Sequence, residues 1–288
     1  MQEFRLGCAV WSYRGWLGSF YPVGTAGKDF LRLYGDRLTA VEGNTTFYAV
    51  PPETTVRRWR EQTPADFRFC LKFPQSVTHQ GLLMPRLTDA LAFIERVQPL
   101  GDRLGCIFAQ LPPNYSPAYC EDLKHFFQEL LNVAKSPVQL GVEVRHPQWF
   151  EPAHHRQLNQ FLTAHNLSKV LLDTRPIYNC PDNPQALSHR QKPNLPLYPD
   201  LTNHLAIVRF ISHPNPQYNE KYLNEWSQHI QQWWSSGKSI YFFIHCPIED
   251  HSPTTTKYFQ EKLQNTGITI SPLPWQQLPP APQQLSLF

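Results

Sequence analysis

Glu143 and Arg145 stand two residues apart in QLGVEVRHPQWF, alternating with Val142 and Val144. Residues two apart on a strand share a face, so a carboxylate and a guanidinium leave one apolar run together. Such groups could hold an anion, ligate a divalent metal or move a proton. The plainer alternative makes Arg145 only a counter-ion for Glu143. VEGNTTFY has the same theme, with Glu42 closing an apolar run and Asn44 two positions on. If Glu42 and Glu143 face one pocket, their pKa values should split, one carboxyl keeping its proton near neutrality. In RFCLKFPQSVTH, Lys72 lies between Leu71 and Phe73. Its stem can bury while its amine reaches a polar mouth. Phosphate or carboxylate recognition suits it, and Schiff-base chemistry is a weaker role. A salt bridge between Lys72 and Glu42 that merely holds the mouth together is the alternative.

Other chemistry-bearing residues also close apolar runs. Gln110 ends LGCIFAQ, Asp173 ends KVLLD, Arg209 lies in LAIVRF and His245 ends SIYFFIH. An inward Arg209 together with Lys72 points to a phosphate or carboxylate ligand. His79 could act as general base or metal ligand, or anchor its loop. His146 is expected at the rim, and Trp149 could give a flat wall to an aromatic or sugar ligand. The expected catalytic set is Glu42, Glu143, Asp173 and His79. The expected ligand-holding set is Asn44, Lys72, Gln110, Arg145, His146, Trp149, Arg209 and His245. The chain contains no HExxH. A divalent metal is therefore allowed rather than demanded, with His79, His146, His213 and His245 as scattered candidates.

Something must bring these residues together. FRLGCAVW, TAVEGN, RFCLKF, LGCIFAQ, VQLGVEVR, KVLLD, LAIVRF and SIYFFIH are strand-like runs, and most are followed by a stretch able to form an amphipathic helix. That alternation predicts a single (β/α)8 TIM barrel, whose strand ends converge on one mouth. The rhythm breaks over residues 173–203, which hold many prolines and no apolar period. We read them as a long loop or partial lid between strands six and seven. A doubly wound sheet is the rival fold, but AVWSYRGWLG after strand one lacks a GxGxxG phosphate loop. The expected layout is a barrel over 1–275 and an extended tail over 276–288.

With 288 residues, 41% of them hydrophobic, the chain can bury a barrel-sized core. Its formal net charge of +3 permits an anionic small molecule or nucleic acid without requiring either. No apolar run approaches a membrane span. The six cysteines form no CxxC pair, which suggests a reduced, cytoplasmic protein.

VEGNTTFY, FRFCLKFPQSVTH, FAQLPPNY, GVEVRHPQWF, the aspartate of LLDT, RQKPNLP and VRF together resemble the DUF72, or YecE-like, family. The likeness covers nearly the whole chain. It implies a TIM barrel whose biochemical role is unassigned. It also places Glu42, Asn44, Lys72, His79, Gln110, Glu143, Arg145, His146, Trp149, Asp173 and Arg209 on the family's pattern. The chain departs from that pattern at Ile211 and Ser212, where family members often carry histidine and glycine. It departs again at Phe243 and Ile244, where many have paired asparagines.

The tail closes on Gln284-Leu285-Ser286-Leu287-Phe288 after a proline-rich stretch. It resembles the pentapeptide by which bacterial polymerases and repair proteins bind the DNA sliding clamp. The glutamine would bond backbone groups while Leu285, Leu287 and Phe288 enter an apolar pocket. Packing of the tail on the barrel's own helices is the alternative. Three functions follow from the sequence: an enzyme using strand-end carboxylates on an anionic substrate, in one version a DNA-associated hydrolase; a glycoside-processing enzyme; or a noncatalytic binding module recruited by its tail.

Overall fold

The computed structural model describes residues 2–134, 138–186 and 191–277. Eight parallel strands close into a barrel in sequence order. They are β1 (Phe4–Cys8), β2 (Ala40–Gly43), β3 (Arg68–Lys72), β4 (Leu104–Gln110), β5 (Leu140–Glu143), β6 (Ser168–Asp173), β7 (Leu205–Ile211) and β8 (Ser239–His245). The strand ends fall within three residues of the ends of the apolar runs, because each run stops where the backbone reaches the polar mouth.

Ten α-helices surround the barrel among the described residues. Seven form the outer layer: α1 (Phe30–Gly35), α3 (Glu53–Glu61), α5 (Leu87–Val97), α6 (Cys120–Val133), α7 (Pro152–Ala164), α9 (Glu220–Ser235) and α10 (Ser252–Asn265). Their apolar residues recur at helical spacing, as with Ala90, Phe93, Ile94 and Val97 on α5 and Leu223, Trp226 and Ile230 on α9. Three one-turn helices were not legible in the sequence: α2 (Thr45–Tyr48), α4 (Gln75–Thr78) and α8 (Arg175–Tyr178). Each follows a strand end directly, so strand and layer helix do not simply alternate.

Two cores result. The larger lies between sheet and helices and takes in Trp16, Trp149 and Trp226. The smaller fills the barrel with Ala40, Cys70, Cys106, Phe108, Val170, Leu205, Ile207, Tyr241 and Phe243. At the amino-terminal end Glu3 closes the barrel floor, receiving bonds from Arg5, Arg68 and Tyr241. Close strand approach is set at Gly7, where a Cβ would stand 1.9 Å from the Ala40 carbonyl oxygen.

Residues 174–204 join β6 to β7. Leu195 is buried, and Leu197 and Leu201 pack against the larger core. Thr174 Oγ1 donates to the Pro193 carbonyl at 3.0 Å, Tyr178 donates to the Lys192 carbonyl, and Lys192 N donates to Gln185 Oε1 at 2.6 Å. These bonds fix Lys192 next to the carboxyl ends of the strands. No helix among the described residues is long and apolar enough to cross a membrane. All six cysteines are free. The clamp-like residues Gln284, Leu285, Leu287 and Phe288 lie outside the described residues.

The register corrects one expectation. Leu172 pairs with the inward Arg209, and Asp173 pairs with Phe210. Asp173 therefore faces the helix layer and does not line the barrel mouth. Its buried carboxylate accepts from Arg175 N, Nε and Nη2 and from Trp226 Nε1 at 2.8 Å. Arg175 continues to Glu225 at 2.7 Å. The group ties the start of the β6–β7 loop to α9. Removing one partner of a buried ion pair costs about 3–5 kcal/mol, and the partial exposure of Arg175 favours the lower end. Asp173→Ala should lower unfolding stability by about 3 kcal/mol in urea titration. A change below ~1 kcal/mol would show that the clamp does not hold the loop.

Candidate functional site

Arg209 sits at the centre of the barrel mouth and is fully buried. Its strand alternation points it inward from β7, between β2 and β5. Nε and Nη2 donate to the two oxygens of Glu42 at 2.7 and 2.9 Å. Nη1 donates to Glu143 Oε2 at 2.5 Å. One guanidinium thus bridges both carboxylates, using the planar fork that suits arginine to such pairing.

The surrounding groups extend this bridge. Lys72 Nζ lies 3.0 Å from Glu42 Oε1 and donates to Gln110 Oε1 at 2.9 Å. Arg145 Nε donates to Glu143 Oε1 at 2.7 Å, and its Nη2 donates to the same Gln110 oxygen at 2.8 Å. His245 Nε2 is 2.9 Å from Glu42 Oε2. Against an ionised carboxylate that nitrogen carries the hydrogen. Asn44 stands apart from this network and donates to the Ala9 carbonyl at 2.8 Å, tying β2 to the β1 loop.

The electrostatics follow from this arrangement. Burial alone would raise the Glu42 carboxyl, but Arg209, Lys72 and His245 hold it well below the usual range. Burial likewise opposes ionisation of Glu143, and Arg209, Arg145 and Lys72 bring it down to about 2. The split expected for two facing carboxylates is therefore absent, because Arg209 stands between them. Neither carboxyl stores a proton near neutrality. Two lysines of the mouth come closer to it. Burial and the Arg209 charge bring Lys72 down to about 7, against the opposing pull of Glu42 and Glu143. Burial, Arg209 and Arg145 bring Lys192 to about 8. Among the described residues no side-chain hydrogen bond holds the Lys192 ammonium.

The rim is mixed. His79 bonds Thr78 at 2.8 Å and packs edge-on against Phe47. Burial, with Arg145 and Lys72 nearby, lowers its pKa to about 4, so it is neutral. Burial drives His245 to about 3 despite Glu42, and it too is neutral. His146 caps the turn after β5, where its Nδ1 accepts from Gln148 N at 3.2 Å. Trp149 offers no wall to a ligand: it is fully buried, with its indole N–H donated to the Tyr115 carbonyl at 2.8 Å.

Two residues of interest were missed from the sequence. Lys192 lay within RQKPNLP, where proline spacing gave no reason to turn it inward. Glu249 follows β8 in PIED, where no apolar period singles it out. One of its carboxylate oxygens is buried without a hydrogen-bond partner. Burial raises its pKa to about 8, aided by Glu42 and Asp250 and opposed by Ser252 and Lys192.

A metal does not suit the mouth as built. The Glu42 oxygens already receive Arg209, Lys72 and His245, and an added cation would meet Arg209, Arg145 and Lys72. A second group lies to one side. Cys180, Asp182 and His213 each bring one ligand atom within 4.8 Å of the others and could coordinate a metal. In the present arrangement His213 Nδ1 accepts from Asn215 N at 2.9 Å, while Nε2 meets Asp182 at 3.0 Å. Ligation through Nε2 would put the hydrogen on Nδ1, facing the Asn215 N–H. That loop amide would have to move first.

Comparison with known proteins places this geometry in a context. Residues 5–278 match a family described as "Protein of unknown function DUF72". The chain is 35% identical to the UPF0759 protein YecE of Escherichia coli (strain K12), covering 98% of this chain and 99% of that one. It is 24% identical to the UPF0759 protein YunF of Bacillus subtilis (strain 168), covering 94% and 95%. A crystal structure of a DUF72 family protein from Thermotoga maritima superposes with a TM-score of 0.66 at 20% identity. It covers 91% of this chain and all of that one. One from Enterococcus faecalis gives 0.64 at 20% identity, covering 92% and 98%.

Arg209→Met tests the bridge and its sign. The folded-state carboxyls lie below their unfolded value of 4.5. Their contribution is present above that value and is lost as the pH falls, for Glu143 through about 2. Without Arg209 both carboxyls move up, and the variant should be about 3 kcal/mol less stable at pH 7. It should regain part of that loss near pH 5 by taking up a proton. Urea unfolding at the two pH values reads both effects, and a neutral-pH midpoint equal to the wild type would refute the bridge.

Proposed function

The chain belongs to the DUF72 family, and we propose that it is a barrel enzyme that holds an anionic, phosphate- or carboxylate-bearing small molecule at its mouth. One observation carries this reading. Four cationic side chains, Arg209, Arg145, Lys72 and Lys192, share the mouth with two ionised carboxylates. Arg209 is consumed by the carboxylates, while the Lys192 ammonium has no side-chain bond among the described residues. An anion would supply what the site lacks.

In this reading Arg145 and Lys192 hold the anion. Glu42 and Glu143 fix Arg209, Lys72 and Arg145 and set the local charge. Lys72, rather than either carboxylate, gives or takes the proton, with His79 at the rim. The metal-dependent hydrolase version has less support, because the carboxylate lone pairs are already engaged. The glycoside version lacks a carboxyl protonated at the centre, and Trp149 is unavailable to a sugar.

We further read the architecture as a (β/α)8 TIM barrel over 1–275, with the proline-rich 173–203 loop as a partial lid. The free thiols suit a reducing, cytoplasmic setting. We assign the 276–288 tail to partner recruitment, with the DNA sliding clamp as partner. Removal of residues 284–288 should abolish binding to the clamp in surface plasmon resonance and leave the melting temperature unchanged. An intact protein that does not bind the clamp would dispose of this partner.

The anion is tested by calorimetric titration with inorganic phosphate and with oxalate. Lys192→Met should weaken binding about tenfold, the equivalent of ~1.4 kcal/mol, with little change in melting temperature. Affinity should decline as the pH rises through about 8, where Lys192 loses its charge. No heat with either anion, or binding indifferent to both Lys192→Met and Arg145→Met, would overturn the reading.

A further inference from the structure

We infer that Lys72 is a carbonyl-capturing nucleophile, forming a Schiff base with an aldehyde or ketone whose carboxylate or phosphate rests on Arg145 and Lys192. The inference rests on the anion site proposed above and specifies the chemistry next to it.

The geometry begins with hydrogen-bond number. Among the described residues the Lys72 nitrogen has two oxygen partners, Glu42 Oε1 at 3.0 Å and Gln110 Oε1 at 2.9 Å. An ammonium has three hydrogens and would leave one unused. An amine has two, satisfies both oxygens, and keeps a lone pair directed away from them. The two acceptors are themselves held. Glu42 is fixed by Arg209, and the Gln110 oxygen also receives Arg145. The nitrogen is consequently oriented as well as buried. Its surroundings move the amine toward the neutral form, to a pKa of about 7, as desolvation and the Arg209 charge outweigh the two carboxylates. Such desolvation beside another cation is a recognised way to make lysine nucleophilic near neutrality.

Apolar surfaces complete the site. The Lys72 nitrogen lies 5.6 Å from the Phe108 ring centre and 6.0 Å from that of Phe47. They leave the amine little bulk water to compete for an electrophile. Arg209 pairs with both glutamates and Arg145 pairs with Glu143 as well, so neither Glu42 nor Glu143 meets an incoming anion as an unpaired carboxylate.

The step balances. The amine lone pair forms the C–N bond while the carbonyl π pair moves to oxygen. That oxygen takes one proton from nitrogen and one from solvent and departs as water. The product is a protonated imine, so the step places a cation beside Glu42 where the neutral amine stood.

Glyoxylate with sodium cyanoborohydride tests the inference on the full-length protein, read by intact mass and peptide mapping. The expected result is one carboxymethyl adduct at Lys72, formed about tenfold faster than at exposed Lys28 or Lys221. Its rate should rise through pH about 7, reflecting Lys72 among Glu42, Glu143, Arg209 and Lys192. Oxalate, which has the charges but no aldehyde, should protect it. Lys72→Arg should keep the fold by circular dichroism and lose the adduct. Modification at Lys192 in place of Lys72, or no preference over surface lysines, overturns the inference. Oxalate binding measured in parallel separates the two failures: if oxalate binds without any Lys72 adduct, the anion site stands and the nucleophile falls.

Discussion

A single buried guanidinium governs this barrel mouth. Arg209 takes both oxygens of Glu42 and one of Glu143 from a position with no solvent exposure. Three ionised groups in such a place carry a heavy desolvation cost, and close pairing with good geometry is what offsets it. An apolar trio could serve the barrel's stability equally well. The distinctive result of the ionic arrangement is chemical. It keeps two carboxylates ionised near neutral pH and leaves their neighbours, rather than themselves, close to titration.

That displacement reorganises the roles of the mouth. Two acidic residues at barrel strand ends suggest an acid and a base. Once a cation lies between them, each is held ionised for the same reason, and their environments no longer differ as an acid–base pair requires. The lysines receive the opposite influence. Lys72 is buried beside Arg209 and close enough to both carboxylates to remain near balance, at about 7. Lys192 arrives from the β6–β7 loop, meets Arg209 and Arg145, and settles near 8. The loop thus contributes an electrostatic term to a site otherwise built on rigid strands.

The sequence disclosed the strand ends more clearly than the directions of their side chains. Apolar runs ending in Glu42, Lys72, Gln110, Glu143, Arg209 and His245 mark where strands leave the interior, since buried strands tolerate polar groups mainly there. Direction was harder to read. KVLLD is apolar on both faces, as strands covered on both sides are. Nothing in it distinguishes an inward Asp173 from one directed at Trp226. Trp149 beside a charged rim resembles a ligand wall until the Tyr115 carbonyl is found at its indole nitrogen. Lys192 and Glu249 lay in loops without periodicity, and their burial comes from the packing of distant segments. The short helices α2, α4 and α8 are single turns, too brief to leave an amphipathic pattern.

Proton and anion should be coupled at such a mouth. A bound anion next to Lys72 and Lys192 favours their charged forms, so its binding draws protons onto the amines. By linkage, protonation must strengthen anion binding to the same extent. A nucleophilic amine requires the reverse, because only the neutral nitrogen has a lone pair to give. Recognition and reaction therefore ask for different charge states of neighbouring lysines. In the proposed reading, two different lysines would meet the two demands. Lys192, with the higher value and no side-chain partner among the described residues, would remain charged for the proposed anion while Lys72, beside Arg209, is already partly neutral. In the proposed anion site, Arg145 would secure the anion whichever lysine gives up its proton.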